Sequence, residues 1–136
     1  MSSRNRGALV VDDDATIRNL VNLILIRENF AVETASDGIE AVLKLSVSHY
    51  DLVVLDLMMP NLSGREVLDY LSAEHPAMLA HVVVMTAAGD SEIERMLRSR
   101  SCVVVRKPFD LNVFAQTIRQ CANGGHPSGD IEPPVS

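Results

Sequence analysis

The sequence predicts an α/β fold: a five-stranded parallel sheet with helices on both faces. Three observations carry the prediction. Short β-branched runs alternate five times with segments of helical period, the pattern of parallel strands joined by crossover helices. The central strand candidates are continuous apolar runs rather than alternating ones, which marks a sheet covered on both sides. A length of 136 residues with 47% apolar content suits one globular core.

The polar stretch from Met1 to Gly7 is expected to be a disordered arm, and the first strand runs from Ala8 to Val11. Ile17, Leu20, Val21, Ile24 and Leu25 then recur along one stripe, which predicts a helix from about Ala15 to Asn29 with Asp14 as its cap. The second strand is Ala31–Ala35. The three helices that follow the second, third and fourth strands each open on a cap acceptor with Glu three residues on: Asp37 with Glu40, Ser63 with Glu66, and Ser91 with Glu94. Between them lie strands at Leu52–Leu55 and His81–Met85, and a fifth at Val103–Val105. The last helix, Asp110 to Cys121, carries a capping Asp and an apolar stripe of Leu111, Phe114, Ala115 and Ile118. The domain is thus expected over residues 8–122. From Asn123 the Gly, Pro, Ser and Asp content predicts a flexible tail over 123–136, because too little apolar surface remains to offset the entropy of ordering.

No apolar run approaches the roughly 18 residues that a membrane span requires, and no hydrophobic signal core follows Met1, so a cytoplasmic protein with no membrane insertion is expected. Cys102 and Cys121 form no CxxC and lie at no metal-ligand spacing to a His; they read as reduced core residues. His49, His75, His81 and His126 are scattered, and none is assigned a site. A net charge of −6 argues against direct nucleic-acid or anionic-membrane binding, whose affinity comes from clustered Lys and Arg, and points to protein partners and a cation.

In an open parallel α/β sheet ligands bind outside the carboxyl ends of the strands. Here the first strand ends in Asp12, Asp13 and Asp14, the third in Asp56, the fourth in Thr86, and the fifth runs through Arg106 into Lys107 and Pro108. Taken singly, an Asp closing a strand is a common turn former or helix cap, and a Lys before Pro a common surface charge. Together on one edge they are harder to dismiss. Carboxylates ~4 Å apart repel by ~1 kcal/mol in water and by up to ~4 kcal/mol at an effective dielectric near 20. Lys107 supplies one offsetting charge, and a divalent cation with oxygen ligands would supply two more; Mg²⁺ is the ion usually held by one or two carboxylates plus a phosphate. The Thr86 hydroxyl would complete a site for an oxyanion.

These stretches, Leu9 to Asp14, Val53 to Pro60 with Asn61 to Gly64, Val82 to Ala87, and Arg106-Lys107-Pro108-Phe109, strongly resemble the receiver domains of two-component response regulators in order and spacing. The resemblance covers Ala8 to about Cys121. It implies a flavodoxin-like doubly wound sheet of order 2-1-3-4-5 with five helices, a fold for which a receiver protein is a known example. It further implies Asp56 as phosphoacceptor, Mg²⁺ held by Asp12, Asp13, Asp56 and the backbone carbonyl of Met58, and Thr86 and Lys107 as contacts to the phosphoryl oxygens. The donor would be a phosphohistidine on a sensor histidine kinase or histidine phosphotransfer protein, and the output a separate protein. Such a domain is a signalling phosphoacceptor, catalysing only its own phosphorylation and slow dephosphorylation. The resemblance also suggests a cis Lys107-Pro108 bond.

Departures from the family pattern bear on signalling. Three residues before Lys107, where receivers usually carry Tyr or Phe, this chain has Val104, and the link before the fifth strand reads Arg100-Ser101 rather than Gly-Ala. Arg95, Arg98 and Arg100 form a basic cluster near that link, readable as a solvated helix face or as a dock for an acidic surface. Two other readings compete. Asp12-Asp13-Asp14-Ala15-Thr16 fits the DxDxT motif of haloacid-dehalogenase-type phosphatases, with Asp12 as nucleophile, but the further acidic pair such enzymes need after the Lys is missing. A degenerate receiver would act as an unphosphorylated interaction module.

Overall fold

A computed structural model describes residues 6–59, 63–87 and 91–122. Of the arm expected over residues 1–7, residues 1–5 lie outside these residues, as do the 60–62 part of the third-strand motif, the 88–90 link and the expected tail at 123–136; Arg6 and Gly7 are not an arm but the start of the first strand, paired with Phe30 and Ala31. Five strands, β1 (Arg6–Val11), β2 (Phe30–Ala35), β3 (Leu52–Asp56), β4 (Val82–Ala87) and β5 (Val103–Lys107), form one parallel sheet in the order β2-β1-β3-β4-β5. Five α-helices connect them: α1 (Ala15–Arg27), α2 (Gly38–Val47), α3 (Gly64–Glu74), α4 (Ser91–Ser99) and α5 (Leu111–Ala122). This is the flavodoxin-like order that the resemblance implied.

Strand burial follows position in the sheet. β3, in the centre, is buried at every residue, whereas β2, at an edge, is buried only at its end residues Phe30 and Ala35 and alternates between exposed and half-buried positions between them. Side chains from alternate positions divide the core in two. Leu9, Val53, Leu55, Val82 and Val84 pack with α2, α3 and α4, while Ala8, Val10, Leu52, Val54, Val83 and Met85 pack with α1 and α5. Among the described residues no helix is long and apolar enough to cross a membrane.

The helix starts show how far local signals carry. Asp14 caps α1, accepting the N–H groups of Thr16 and Ile17, and Asp110 caps α5 through Asn112 and Val113. Ser63 and Glu66 form a complete capping box on α3. At α2, Asp37 accepts the Glu40 N–H, but the Glu40 carboxylate returns to Ser36, one residue before the cap. At α4 the outcome differs: the helix already includes Ser91, and both oxygens of Glu94 are held by Arg106 of β5.

Other boundaries differ from expectation for local reasons. α1 stops at Arg27 because Asn29 takes a left-handed backbone, φ 71°, which Asn tolerates better than most residues. His81 does not open β4; it closes a 3-10 helix over Pro76–His81, started by a Pro with its φ preset and anchored by buried Leu79. Both cysteines are buried free thiols; burial raises Cys102 to about 11, and burial with Cys102 nearby raises Cys121 to about 12.

Candidate functional site

The carboxyl ends of β1, β3, β4 and β5 gather the residues that the sequence pointed to. Parallel register sets Val11 beside Leu55, Asp56 beside Met85, and Ala87 beside Lys107. Asp12, Asp13 and Asp56 follow or end their strands, and each offers a carboxylate oxygen within 4.8 Å of the others. Asp12 and Asp56 are buried and Asp13 is exposed, so the cluster opens to solvent on one side only. Asp14, the fourth acid at this edge, is outside the cluster, committed to capping α1. That leaves the DxDxT reading without its second acid.

Several contacts hold the cluster. Asp12 Oδ1 accepts the Asp14 N–H at 2.9 Å, and Arg18 Nη1 donates to the Asp12 carbonyl at 2.7 Å, tying the β1 end to α1. Asp56 Oδ1 accepts the Met58 N–H at 3.2 Å, a tight turn of the kind Asp favours. The loop closes on Gly64, whose N–H donates to the Leu57 carbonyl at 3.1 Å. A Cβ there would lie 2.6 Å from both the Asp56 carbonyl oxygen and Leu57 Cα, so α3 can pack this close to the acidic edge only with glycine at its start. Gly64 belongs to one of the stretches that resemble receivers, but its contact with Asp56 arises from packing and has no signature in the chain.

Lys107 follows from β5 through a cis bond to Pro108, as the resemblance suggested. Its Nζ lies 3.5 Å from Asp56 Oδ1 and 3.8 Å from Asp12 Oδ2. One ammonium at those distances cannot neutralise three carboxylates. Burial foremost, and then Asp12, pushes the Asp56 carboxyl up to about 6, against the opposing pull of Lys107. Asp12 Oδ2 is itself buried and accepts no hydrogen bond, an arrangement that costs free energy unless another partner completes it. The chemistry suits a hard divalent cation with oxygen ligands. Thr86 is also buried at this edge, with its hydroxyl donating to the Ala87 carbonyl at 3.4 Å, a long bond.

The basic cluster on α4 separates in space. Arg100 turns to α3 and pairs with Asp69 at 2.8 Å, while Arg95 and Arg98 stay exposed. Val104 is half-buried and packs, as a core residue, against the cluster that includes Leu97 and Cys102. One grouping escaped the sequence altogether. His49, His75 and His81 line a single cavity of about 640 Å³ at the opposite, amino end of the sheet, His49 from the α2–β3 connection and the other two from the start and end of the α3–β4 connection. No spacing rule could have found it.

Comparison with known proteins agrees with this fold. A family model described as the response regulator receiver domain matches residues 8–119. The response regulator MprA of Mycobacterium avium is 34% identical over 126 residues, 91% of this chain and 54% of its own length. The transcriptional regulatory protein ResD of Bacillus subtilis is 42% identical over 82 residues, 60% of this chain and 33% of its own length. The chain therefore spans about half or less of these curated relatives. Among solved structures, the response regulator TrrA of Thermotoga maritima in complex with Mg²⁺-BeF superposes with a TM-score of 0.74 at 29% identity, covering 85% of this chain and 98% of that one.

Proposed function

The chain belongs to the response regulator receiver domain family, and on that premise we propose that Asp56 accepts a phosphoryl group from a phosphohistidine, with Mg²⁺ bound beside it. The observation that carries the proposal is the buried Asp12 Oδ2, which accepts no hydrogen bond, in a three-carboxylate cluster that a single lysine faces. Asp12, Asp13, Asp56 and the Met58 carbonyl would hold the ion, which would supply positive charge to the cluster and to the incoming phosphoryl oxygens.

The chain's own residues do the positioning. Asp56 supplies the nucleophilic carboxylate oxygen: an O–P bond forms as the donor's N–P bond breaks, and the departing imidazole keeps the electron pair. Lys107, already 3.5 Å from Asp56, meets negative charge developing on the phosphoryl oxygens. Thr86, one strand over, donates its hydroxyl to another of them. The Arg18 and Gly64 contacts fix the β1 and β3 ends, so little reorganisation is needed as charge builds. The proposed donor is a sensor histidine kinase or histidine phosphotransfer protein in the cytoplasm. Output passes through protein contacts, and turnover is limited to slow self-dephosphorylation.

Incubation with acetyl phosphate and Mg²⁺, followed by intact mass measurement, tests this. The wild-type chain should gain one phosphoryl group and Asp56→Asn none. An unmodified wild-type chain, or a modified Asp56→Asn, would refute the proposal.

A further inference from the structure

The three carboxylates of the acidic cluster are held in unequal ways. Buried Asp12 is fixed at three points: its N–H donates to the Ala35 carbonyl at 3.1 Å, its carbonyl accepts from Arg18 Nη1 at 2.7 Å, and its Oδ1 accepts the Asp14 N–H at 2.9 Å. Asp56 ends a fully buried strand and turns its Oδ1 to the Met58 N–H. Asp13 differs. It is exposed, and among the described residues no hydrogen bond holds it, yet its carboxylate lies within 4.8 Å of the other two.

The neighbours of Asp13 hold it in place, and both depend on Arg18. The Asp12 carbonyl accepts from the Arg18 guanidinium at 2.7 Å, and the Asp14 carbonyl accepts from the Arg18 backbone N–H at 2.9 Å. One residue thus brackets Asp13 from either side. Helical side chains lean toward the N-terminus of their helix, so a long residue at the fourth position of α1 reaches back past the Asp14 cap. A basic residue there opposes the helix dipole, which favours acids at this end, and α1 has no acid in its first turn. Arg18 therefore works against its own helix and in favour of the turn that precedes it.

We propose that Arg18 is a positioning residue that makes the acidic cluster selective for Mg²⁺ over Ca²⁺, by fixing where the exposed Asp13 carboxylate stands relative to Asp12 and Asp56. The inference rests on the metal site within the receiver function proposed above. Mg²⁺ requires short, near-octahedral contacts, whereas Ca²⁺ accepts longer and more irregular ones, so rigidity of the ligands separates the two ions. A turn released from Arg18 lets Asp13 swing outward, which the larger ion tolerates and the smaller does not. The positive charge of Arg18 has the opposite effect: its removal strengthens the binding of both ions, and by similar factors, because both are divalent. The ratio of the two affinities therefore isolates positioning from charge.

Calorimetric titration of the metal-free chain with MgCl₂, and separately with CaCl₂, tests this in wild type, Arg18→Met and Arg18→Lys. Wild type should prefer Mg²⁺. In Arg18→Met the preference for Mg²⁺ over Ca²⁺ should fall by about tenfold, the lower end of the loss seen when a group that orients a metal ligand is removed. Arg18→Lys, which keeps the charge and a donor but not the fork, should recover part of the preference. An unchanged ratio in Arg18→Met overturns the inference even where both affinities shift together, and so does a wild-type chain that binds the two ions equally. Thermal unfolding without metal shows whether Arg18→Met folds. If it does not, Arg18→Gln, whose amide stops short of the Asp12 carbonyl, decides on the same ratio. A wild-type chain that binds neither ion removes the metal site from the proposed function, and the inference with it.

Discussion

The two ends of this one sheet solve opposite problems. At the amino end, polar groups find partners: Asp51 accepts the Gly7 N–H at 2.8 Å while its own N–H reaches the Gly7 carbonyl at 2.7 Å. Tyr50 donates to Glu33 at 2.6 Å, and the His81 ring contacts the Cys121 carbonyl at 3.0 Å. At the carboxyl end, three carboxylates crowd a single lysine and Asp12 Oδ2 accepts no hydrogen bond. The other buried side-chain atom without a hydrogen bond among the described residues, Arg100 Nη1, belongs to a five-donor group already paired with Asp69 and so matters less. Folding alone favours the first arrangement. The second persists because something other than folding requires it, which is the physical content of calling it a site.

The largest effect should come where the carboxyl end is most tightly built. Gly64→Ala places a Cβ 2.6 Å from two backbone atoms of the Asp56 turn, neither of which can move without the turn moving too. We expect roughly 3 kcal/mol of destabilisation, the upper part of the overpacking range, together with slowed phosphorylation of Asp56. Urea unfolding and the mass assay check both. A stable, fully active variant would show that the turn is pliable and that the contrast between the two ends is overstated.

Relief of repulsion should have the opposite sign. The folded Asp56 carboxyl is raised to about 6 from an ordinary 3.8, so the native state keeps its proton where the unfolded chain has lost it. Stability is then fully present below the unfolded value, falls as pH rises from about 4 to about 6, and is flat beyond. Two pH units correspond to about 3 kcal/mol. In metal-free buffer Asp56→Asn should lose this decline and be more stable than wild type at pH 7.5 by up to about that amount. Parallel curves of unfolding free energy against pH for the two proteins would sink the idea.

The amino end supplies the control. Asp51→Ala should cost about 1–2 kcal/mol by orphaning the Gly7 N–H, and leave the rate of Asp56 phosphorylation unchanged. A changed rate would mean that the two ends are coupled and cannot be contrasted. Mg²⁺ should act only at the other end: at ten times its dissociation constant it should add about 1.4 kcal/mol to wild type, and less to Asp13→Asn at the same concentration. A melting temperature indifferent to millimolar Mg²⁺ would count against the acidic site.

The two ends also differ in how much of them is legible in the chain. The acidic end is legible because its residues close successive apolar strands, and one rule about parallel sheets places all strand ends on one edge. Ser63 with Glu66 is legible because a capping box is local. Glu94 misleads for the same reason: its spacing from Ser91 suggests a cap, but its partner, Arg106, is on another strand. The Gly64 contact with Asp56 and the three-histidine cavity are long-range juxtapositions with no local signature. The 3-10 helix at Pro76–His81 ends on a residue that reads as the start of a strand, because an apolar run follows it directly.

The smallest expected effect tests whether strain belongs to the acidic end alone. Ser101, in the link entering β5 at the amino end, has a left-handed backbone, φ 68°, which costs a residue with a Cβ about 1–2 kcal/mol relative to glycine. Ser101→Gly removes that cost but gives the unfolded chain more freedom to lose, an opposing term of about 0.5–1 kcal/mol. The net gain should be roughly 0.5 kcal/mol, the difference of those two effects. Asn29→Gly, at a comparable φ of 71°, should gain less, because Asn tolerates that region better than Ser. If both variants are slightly stabilised and phosphorylate normally, strain at the amino end is only a by-product of sequence choice. If Ser101→Gly instead changes the rate of Asp56 phosphorylation, that strain helps set the site and the boundary between the two ends must be redrawn to include the link.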